Sequence, residues 1–523
     1  MLNLAIFLEQ TARLQPAQDA VVFMETRLSW AQLNGAANQV AAGLQALGIG
    51  RGDKVALSCP NLPFFPIAYY GILKAGATVV PLNVLFKRRE IAYHLEDSDA
   101  KAYLCFEGSP ELPMAVEGFA GFSEVEACEH FIAITADPAG ASPVEGASTL
   151  GQMMHGQSPV FDTVQTMPDD TAVILYTSGT TGVAKGAELT HFNMFQNAEE
   201  VSRVLSYSPD DVSLIVLPLF HSFGQTVLMN AGMAAGVTQV LLPRFSPEHV
   251  LGLMQKEKVT VFAGVPTMYW GLLSYPDAEK FDAAAIASRL RVNISGGAAL
   301  PLEVLRGFEE KYGAPILEGY GLSETAPVAC FNQLDIERKP GSIGIPLPRV
   351  EMRIVDDAGA DVPVGETGEV VIRGYNVMKG YYKRPEANAE ALRGDWFHTG
   401  DVGRQDEDGY FYIVDRTKDM IIRGGFNVYP REVEETLMSH PSVSMVAVIG
   451  VPHDSHGEEI KAVVVLKPDA ELSEDELVAW GKQELAAYKY PRLVSFRDRL
   501  PMNATGKILK RELRADEGSS TSA

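Results

Sequence analysis

Tyr176–Ala187 reads YTSGTTGVAKGA and follows directly on the apolar run TAVIL at Thr171 to Leu175. That run predicts a buried strand, so the stretch is a strand opening into a polar loop. The loop carries Gly179, Gly182 and Gly186, the hydroxyls of Thr177, Ser178, Thr180 and Thr181, and Lys185. Glycine lets main chain approach an anion closely. Successive N–H groups and hydroxyls then form a nest for phosphate oxygens, and a lysine adds a point charge. A Walker A loop is excluded: Lys185 follows Ala184 and precedes Gly186, which is the wrong spacing and lacks the metal-binding hydroxyl. The competing reading is a plain polar surface loop.

Outward from the loop, strands and helices alternate. Ser29 caps an expected helix that stops at Gly48, Lys54 to Ser58 is a strand, and a helix over 63–74 ends at Gly76. Thr78 to Leu82 and Ala102 to Phe106 read as strands around a helix over 89–95. Residues 137–160, rich in Gly, Pro, Ala and Ser, read as a long surface connection. Beyond the loop come strands at 212–217, 237–242, 260–263 and 291–295, a helix at 249–258, and one at 301–311 with Pro301 in its first turn. Such alternation predicts βαβ units and an α/β fold of mostly parallel sheets. From Gly341 the pattern shifts to short strands, 350–355 and 368–373, around a D-D-A-G turn, which predicts a hairpin or small β-barrel. A boundary is expected near Asp415–Asp419, giving a large N-terminal domain over 1–415. A small mobile α+β domain over 416–514 and a disordered tail over 515–523 would follow.

Composition narrows the function. A net charge of −23 excludes a nucleic-acid partner, because phosphate backbones need a basic surface. Cys59, Cys105, Cys128 and Cys330 form no CxxC pair and no disulfide framework, which places the chain in a reducing cytoplasm. The N-terminus lacks the pattern of a signal peptide, and no apolar run reaches the roughly 18 residues of a membrane span.

Further constellations are individually modest. Glu318-Gly-Tyr-Gly-Leu-Ser-Glu324 offers a ring, Tyr320, on which a flat heterocycle can stack, and an oxygen ligand for Mg²⁺ in Glu324; a turn with a core Tyr reads equally well. Phe397-His-Thr-Gly-Asp401 ends in a carboxylate able to chelate ribose hydroxyls, although Asp is also a common turn residue. Asp415-Arg-Thr-Lys-Asp419 puts alternating charges at the expected joint, and Asn503-Ala-Thr-Gly-Lys507 sets a lysine beside glycine. His221 lies between Phe220 and Phe223 after a strand, where a core histidine is the plain alternative. No Cys/His metal cluster and no GxSxG elbow is present.

Taken in order and spacing, TSGTTG-x-x-KG, EGYGLSE, HTGD, DRTKD, GGFNVYPREVE and NATGK resemble the adenylate-forming superfamily across Leu8 to Leu513. That group contains acyl-CoA synthetases, luciferases and peptide-synthetase adenylation domains, and the chain resembles bacterial fatty-acid–CoA ligases. The resemblance implies a reaction in two halves. ATP and a carboxylic acid give an acyl-adenylate and pyrophosphate; coenzyme A then takes the acyl group and AMP leaves. Thr177, Ser178, Gly179, Thr180, Thr181 and Lys185 would cradle the phosphates. Gly297, Ala298, Ala299, Glu318, Gly319, Tyr320 and Gly321 would border the nucleotide, with Ser323 at the α-phosphate. Thr177 and Glu324 would hold Mg²⁺. Asp401, with Arg416 beside it, would bind the ribose. Lys507 would bridge the acid and the α-phosphate, and His221, Lys185 and Glu324 complete the implied catalytic set. The small domain would then pivot at Lys418, bringing Gly424 and Gly425 to the pantetheine channel. Lys418, Phe397 and Ser323 differ from commoner family residues, but no needed functional group is lost.

The implied acid pocket includes His221, Phe223, Gly224, Val265, Gly297 and Gly321. Its segments carry no Arg or Lys for a second carboxylate, which disfavours malonate-like acids. His221 stands where amino-acid-activating relatives place an Asp. The expected substrate is a medium- to long-chain fatty acid; a cinnamate-like aryl acid, an acyl-AMP ligase feeding a carrier protein, and a homodimer stay open.

Overall fold

The computed structural model describes residues 1–177, 183–416, 419–423, 426–453 and 456–520. Among these, two large mixed sheets form the body. The first has eight strands. Thr171–Thr177, Thr78–Pro81, Lys54–Ser58, Ala100–Phe106, His130–Ile134 and Ser148–Thr149 run parallel in that spatial order. The second has nine. Its parallel middle runs Ile316–Gly321, Val292–Ser295, Val261–Gly264, Val212–Ile215, Thr238–Leu241 and Asp19–Phe23, with antiparallel strands at both edges. The expected parallel α/β body is present.

Local signals explain many helix starts. Ser29 Oγ accepts from Gln32 N–H at 3.3 Å while Gln32 Oε1 accepts from Ser29 N–H at 2.8 Å, a capping box that opens the helix Trp30–Ala46. This helix and Phe64–Lys74 bury Trp30, Leu33, Val40, Phe65, Tyr69 and Ile72 in a core that continues into both sheets. Each fully buried aliphatic side chain there contributes about 1.5–3 kcal/mol.

Several expectations change. The phosphate-loop stretch is a hairpin: Lys185–Thr190 returns antiparallel on Thr171–Thr177, with Lys185 opposite Thr177. A Cβ on Gly186 would sit 2.6 Å from Ile174 Cγ2, so glycine serves strand packing there as well as any ligand. The connection over 137–160 is interrupted by Ser148–Thr149 and by the helix Leu150–Met154, which Thr149 caps. Pro301 is extended and precedes the helix Leu302–Tyr312. The tail is not irregular through its length: the helix Lys510–Ser520 runs on through 515–520, and 521–523 lie outside the described residues.

The expected hairpin or small β-barrel is present as a curled five-stranded antiparallel sheet of Val350–Val355, Gly368–Gly374, Trp396–Gln405, Leu392–Arg393 and Phe411–Arg416, in which the first two strands pair antiparallel. The C-terminal sheet is built on the long pair Val443–His453 and Gly457–Leu466. Alternation along these strands feeds two apolar clusters. Val446, Val448, Ile460 and Val464 meet Val433, Leu437 and Leu477 on one face, while Ala447, Ile449, Val463 and Val465 meet Leu500 and Leu513 on the other. Among the described residues no helix is long and apolar enough to cross a membrane, and all four cysteines are buried and unbridged.

His191 ties the N-terminus to this body. Its Nδ1 accepts from Leu4 N–H at 3.1 Å. Burial, opposed by Asp170 and aided by Arg51, lowers its pKa from 6.5 to about 4. The folded state therefore resists a proton that the unfolded chain takes up near 6.5, and stability must fall as pH drops from that value towards 4. The full loss from this group is about 3 kcal/mol. His94 and His221, also held neutral by burial, add to the same slope. Denaturant unfolding at about pH 4.5 and 7 should show that His191→Gln, which keeps an acceptor for Leu4, flattens this dependence in part.

Candidate active site

A cavity of about 900 Å³ opens at the C-terminal ends of the nine-stranded sheet's parallel strands. The ends of four of those strands and the segments that follow them enter it: Leu217, Pro218 and Phe220 to Phe223, Val265, Ser295 to Ala298, and Gly319 to Glu324. This is where open α/β sheets bind ligands. The hairpin supplies Thr177 and Lys185, the curled sheet supplies Phe397 to Asp401, and a C-terminal loop supplies Asn503 to Thr505 and Lys507.

Glu324 is buried at one end. Its Oε1 accepts from Thr177 Oγ1 at 3.2 Å and from Tyr381 Oη at 2.9 Å. Lys185 Nζ lies 5.2 Å from the centre of the Tyr381 ring. Tyr381 escaped the sequence reading because no spacing marks it. Only the pairing of Gly380–Tyr381 with the strand Lys185–Thr190 brings it here. Ser323 Oγ lies 3.4 Å from Ser222 Oγ.

Tyr320 and Asp401 meet in the same cavity, the tyrosine hydroxyl donating to Asp401 Oδ2 at 2.6 Å. EGYG is extended strand rather than turn, and its glycines are steric necessities. A Cβ on Gly319 would lie 2.3 Å from the Phe331 ring, and one on Gly321 would lie 1.7 Å from Pro327 O. Asp401 sits within the strand Trp396–Gln405, opposite Arg416 in the ladder. The same strand just before Asp401 is fastened by Glu369, which accepts from Gly400 N–H at 3.0 Å and pairs with His398 at 2.7 Å.

The Asn503–Lys507 loop closes the cavity. Asn503 Oδ1 accepts from the N–H groups of Thr505 and Lys507 at 3.0 and 2.9 Å. Gly506 has φ +81°, and its carbonyl accepts from Thr267 Oγ1 at 3.2 Å. Lys507 thus stands near His221, whose pKa burial and then Lys507 lower to about 4, so the imidazole is neutral in the physiological range.

Of the residues singled out from the sequence, Thr177, Lys185, His221, Phe223, Val265, Gly297, Ala298, Gly319, Tyr320, Gly321, Ser323, Glu324, Asp401 and Lys507 share this cavity. Three more with described side chains do not line it, and the Arg416 side chain lies outside the described part of the structure. Ala299 is set back; Glu318 turns to the Leu300 N–H at 3.3 Å; Gly224 lies against Pro218 O, 2.5 Å from where its Cβ would be. Burial raises the Glu318 pKa to about 7, with Arg431 opposing. Ser178, Gly179, Thr180, Thr181, Lys418, Gly424 and Gly425 lie outside the described residues.

Residues 8–382 match the AMP-binding enzyme family, and residues 432–507 match the AMP-binding enzyme C-terminal domain. The chain belongs to the AMP-binding enzyme family. A long-chain-fatty-acid–CoA ligase of Bacillus subtilis is 36% identical over 531 residues, covering 98% of this chain and 94% of that protein. A feruloyl-CoA synthase of Amycolatopsis is 38% identical over 511 residues, covering 96% of each. The crystal structure of an anthranilate CoA ligase in complex with anthranoyl-AMP matches with a TM-score of 0.92 at 30% identity. It covers 100% of this chain and 98% of that one. This AMP-binding enzyme is an AMP-forming acid–CoA ligase that uses ATP, Mg²⁺ and coenzyme A. The donor set fits the metal: Mg²⁺ takes one or two carboxylates and completes its shell with phosphates and water. Glu324 beside Thr177 offers such a sparse site.

Proposed function

We propose that the enzyme activates a medium- to long-chain fatty acid as its acyl-adenylate and transfers the acyl group to coenzyme A. The observation that carries this reading is the division of the cavity. Phe220, Phe223, Val227, Val265, Val328 and Phe331, all on the nine-stranded sheet or on the segments after its strands, give the cavity an apolar wall. The lining cations Lys185, Arg393 and Lys507 come from the hairpin, the curled sheet and the C-terminal loop, and among the described residues none comes from that wall. A second carboxylate buried there would be costly for want of a cation in the wall.

In the first half-reaction a carboxylate oxygen attacks the α-phosphorus and the bond to pyrophosphate breaks. Two anions must be brought together, so positioning and charge neutralisation dominate. Lys507 neutralises the carboxylate and α-phosphate oxygens. Lys185, with the loop 178–181, holds the leaving pyrophosphate. Tyr320 stacks on the adenine and Asp401 accepts the ribose hydroxyls. Glu324 and Thr177 would hold Mg²⁺, which supplies charge neutralisation at the phosphates when bound. In the second half the thiol sulfur attacks the acyl carbon and AMP departs with the C–O bond electrons. We assign residues 1–415 to the body and 416–514 to a lid that rotates between halves about Lys418, carrying Lys507 out and Gly424-Gly425 in. The separate apolar clusters of the C-terminal sheet support this division.

The test is pyrophosphate release across acids of graded length with coenzyme A and no carrier protein. Burial is worth about 0.8 kcal/mol per methylene, so kcat/KM should climb roughly threefold to fourfold per added methylene until the apolar wall is covered. An aryl acid is the second reading. It is favoured by the feruloyl-CoA synthase relative and by the narrow approach of Phe223 to Gly296, where a Cβ would meet the ring at 3.1 Å. Preference for ferulate or benzoate over every fatty acid would overturn the first reading in favour of the second.

A further inference from the structure

The side chains of Thr177 and Lys185 face one another across the hairpin ladder. Each is preceded in sequence by a residue anchored on one neighbouring helix, Arg88–Asp97. Tyr176, before Thr177, donates its hydroxyl to Asp97 Oδ2 at 2.8 Å. Ala184, before Lys185, accepts from Tyr93 Oη at 2.7 Å. Tyr93 and Asp97 are one helical turn apart, so a single helix face grips both arms of the hairpin. Arg384 joins the same knot: its guanidinium pairs with Asp97 Oδ1 and reaches Tyr93 Oη at 3.4 Å. Arg384 ends the segment that holds Tyr381, whose hydroxyl meets Glu324 and whose ring lies under Lys185. Burial, then Asp97, pushes the Tyr176 hydroxyl well above its ordinary range, which keeps it a donor. Edge contacts from Tyr93 and His94 to the Tyr176 ring hold it in place.

We propose that Tyr93, Asp97, Tyr176 and Arg384 form a clamp that positions Thr177, Lys185 and Tyr381 for the nucleotide's phosphates. Tyr93, Asp97 and Arg384 lie behind the cavity lining and act through those side chains; the Tyr176 ring borders the cavity, but its hydroxyl is turned to Asp97 and acts in the same way. The inference rests on the reading above that Thr177 and Lys185 serve the triphosphate. Its chemistry is specific to the first half-reaction. Once pyrophosphate has left, the hairpin has nothing to hold, so loosening it should spare thioester formation.

The test compares wild type with the variant carrying Tyr93→Phe and Tyr176→Phe. It uses calorimetric ATP binding without acid, steady-state KM for ATP and for the fatty acid, and thioester formation from supplied acyl-AMP. The expected result is a KM for ATP and an ATP Kd each raised about tenfold, since sub-ångström misplacement of charged groups is costly. The KM for the acid and the rate from acyl-AMP should stay within about twofold. Asp97→Asn, which keeps an acceptor for Tyr176 but drops the charge facing Arg384, should show a smaller shift of the same kind. It serves where the double variant fails to fold. A purely structural role would depress both half-reactions together, and that outcome, or an unchanged ATP KM, overturns the clamp. A wild type that neither binds ATP nor makes acyl-CoA would remove the underlying reading as well, and so the two failures are distinct.

Discussion

Lys507→Ala is expected to lower ATP–pyrophosphate exchange by about 10²–10³-fold, the loss typical of removing one preorganised charge donor from a developing anion. Thioester formation from supplied acyl-AMP should stay within about twofold. The asymmetry follows from the chemistry. Bringing a carboxylate to a phosphate needs a cation between them, whereas attack of a thiol on a mixed anhydride makes no such demand. Geometry supports the position of that cation: the loop is latched by Asn503 and by Thr267, and Lys507 lines the cavity beside His221. The substitution should also release His221. With Lys507 gone one of the two causes of its lowered pKa is removed, so its value should rise above about 4, which a pH titration of the imidazole can follow. Equal losses in both half-reactions would remove Lys507 from the role proposed for it.

What the sequence disclosed follows physical range. Short apolar runs and caps are local, and they located the strand Lys54–Ser58 and the helix Trp30–Ala46 closely. The motif order located the cavity, because residues on loops after successive parallel strands converge whatever lies between them. Long-range pairing left no local trace. Tyr381 reaches Glu324 through an edge strand, and Tyr93 and Asp97 reach the hairpin from a helix whose sequence, RREIAYHLED, reads as ordinary surface. The direction of a side chain was equally hidden. Glu318 sits in the most informative motif, yet its carboxylate turns from the cavity to the Leu300 amide. The helix over 515–520 was obscured by a Gly-Ser-rich composition.

Gly321→Ala is the second large effect expected. The added Cβ would lie 1.7 Å from Pro327 O and 2.7 Å from Pro327 C, both main-chain atoms. The Pro327 carbonyl is held by Leu322 N–H at 3.1 Å and by Thr325 Oγ1 at 2.5 Å, so it cannot simply step aside. Relief must come from parting the strands Ile316–Gly321 and Val328–Phe331, which carry Tyr320 and border Ser323. The cost should be about 3 kcal/mol or more, at the upper end of overpacking effects. Exchange activity should fall about 10²-fold, as expected for an ångström-scale shift of binding groups. Gly297→Ala is the matched control. Gly297 has φ +79°, but a Cβ there meets only Val265 Cγ1 at 3.6 Å, so about 1 kcal/mol of backbone strain is the expected cost to stability. Chemical denaturation of both variants separates the two cases, and ATP–pyrophosphate exchange on Gly321→Ala against wild type reads the loss of activity. If Gly321→Ala proved as mild as Gly297→Ala, the EGYG strand would not be pressed against Pro327, and the placement of Tyr320 opposite Asp401 would lose its structural basis.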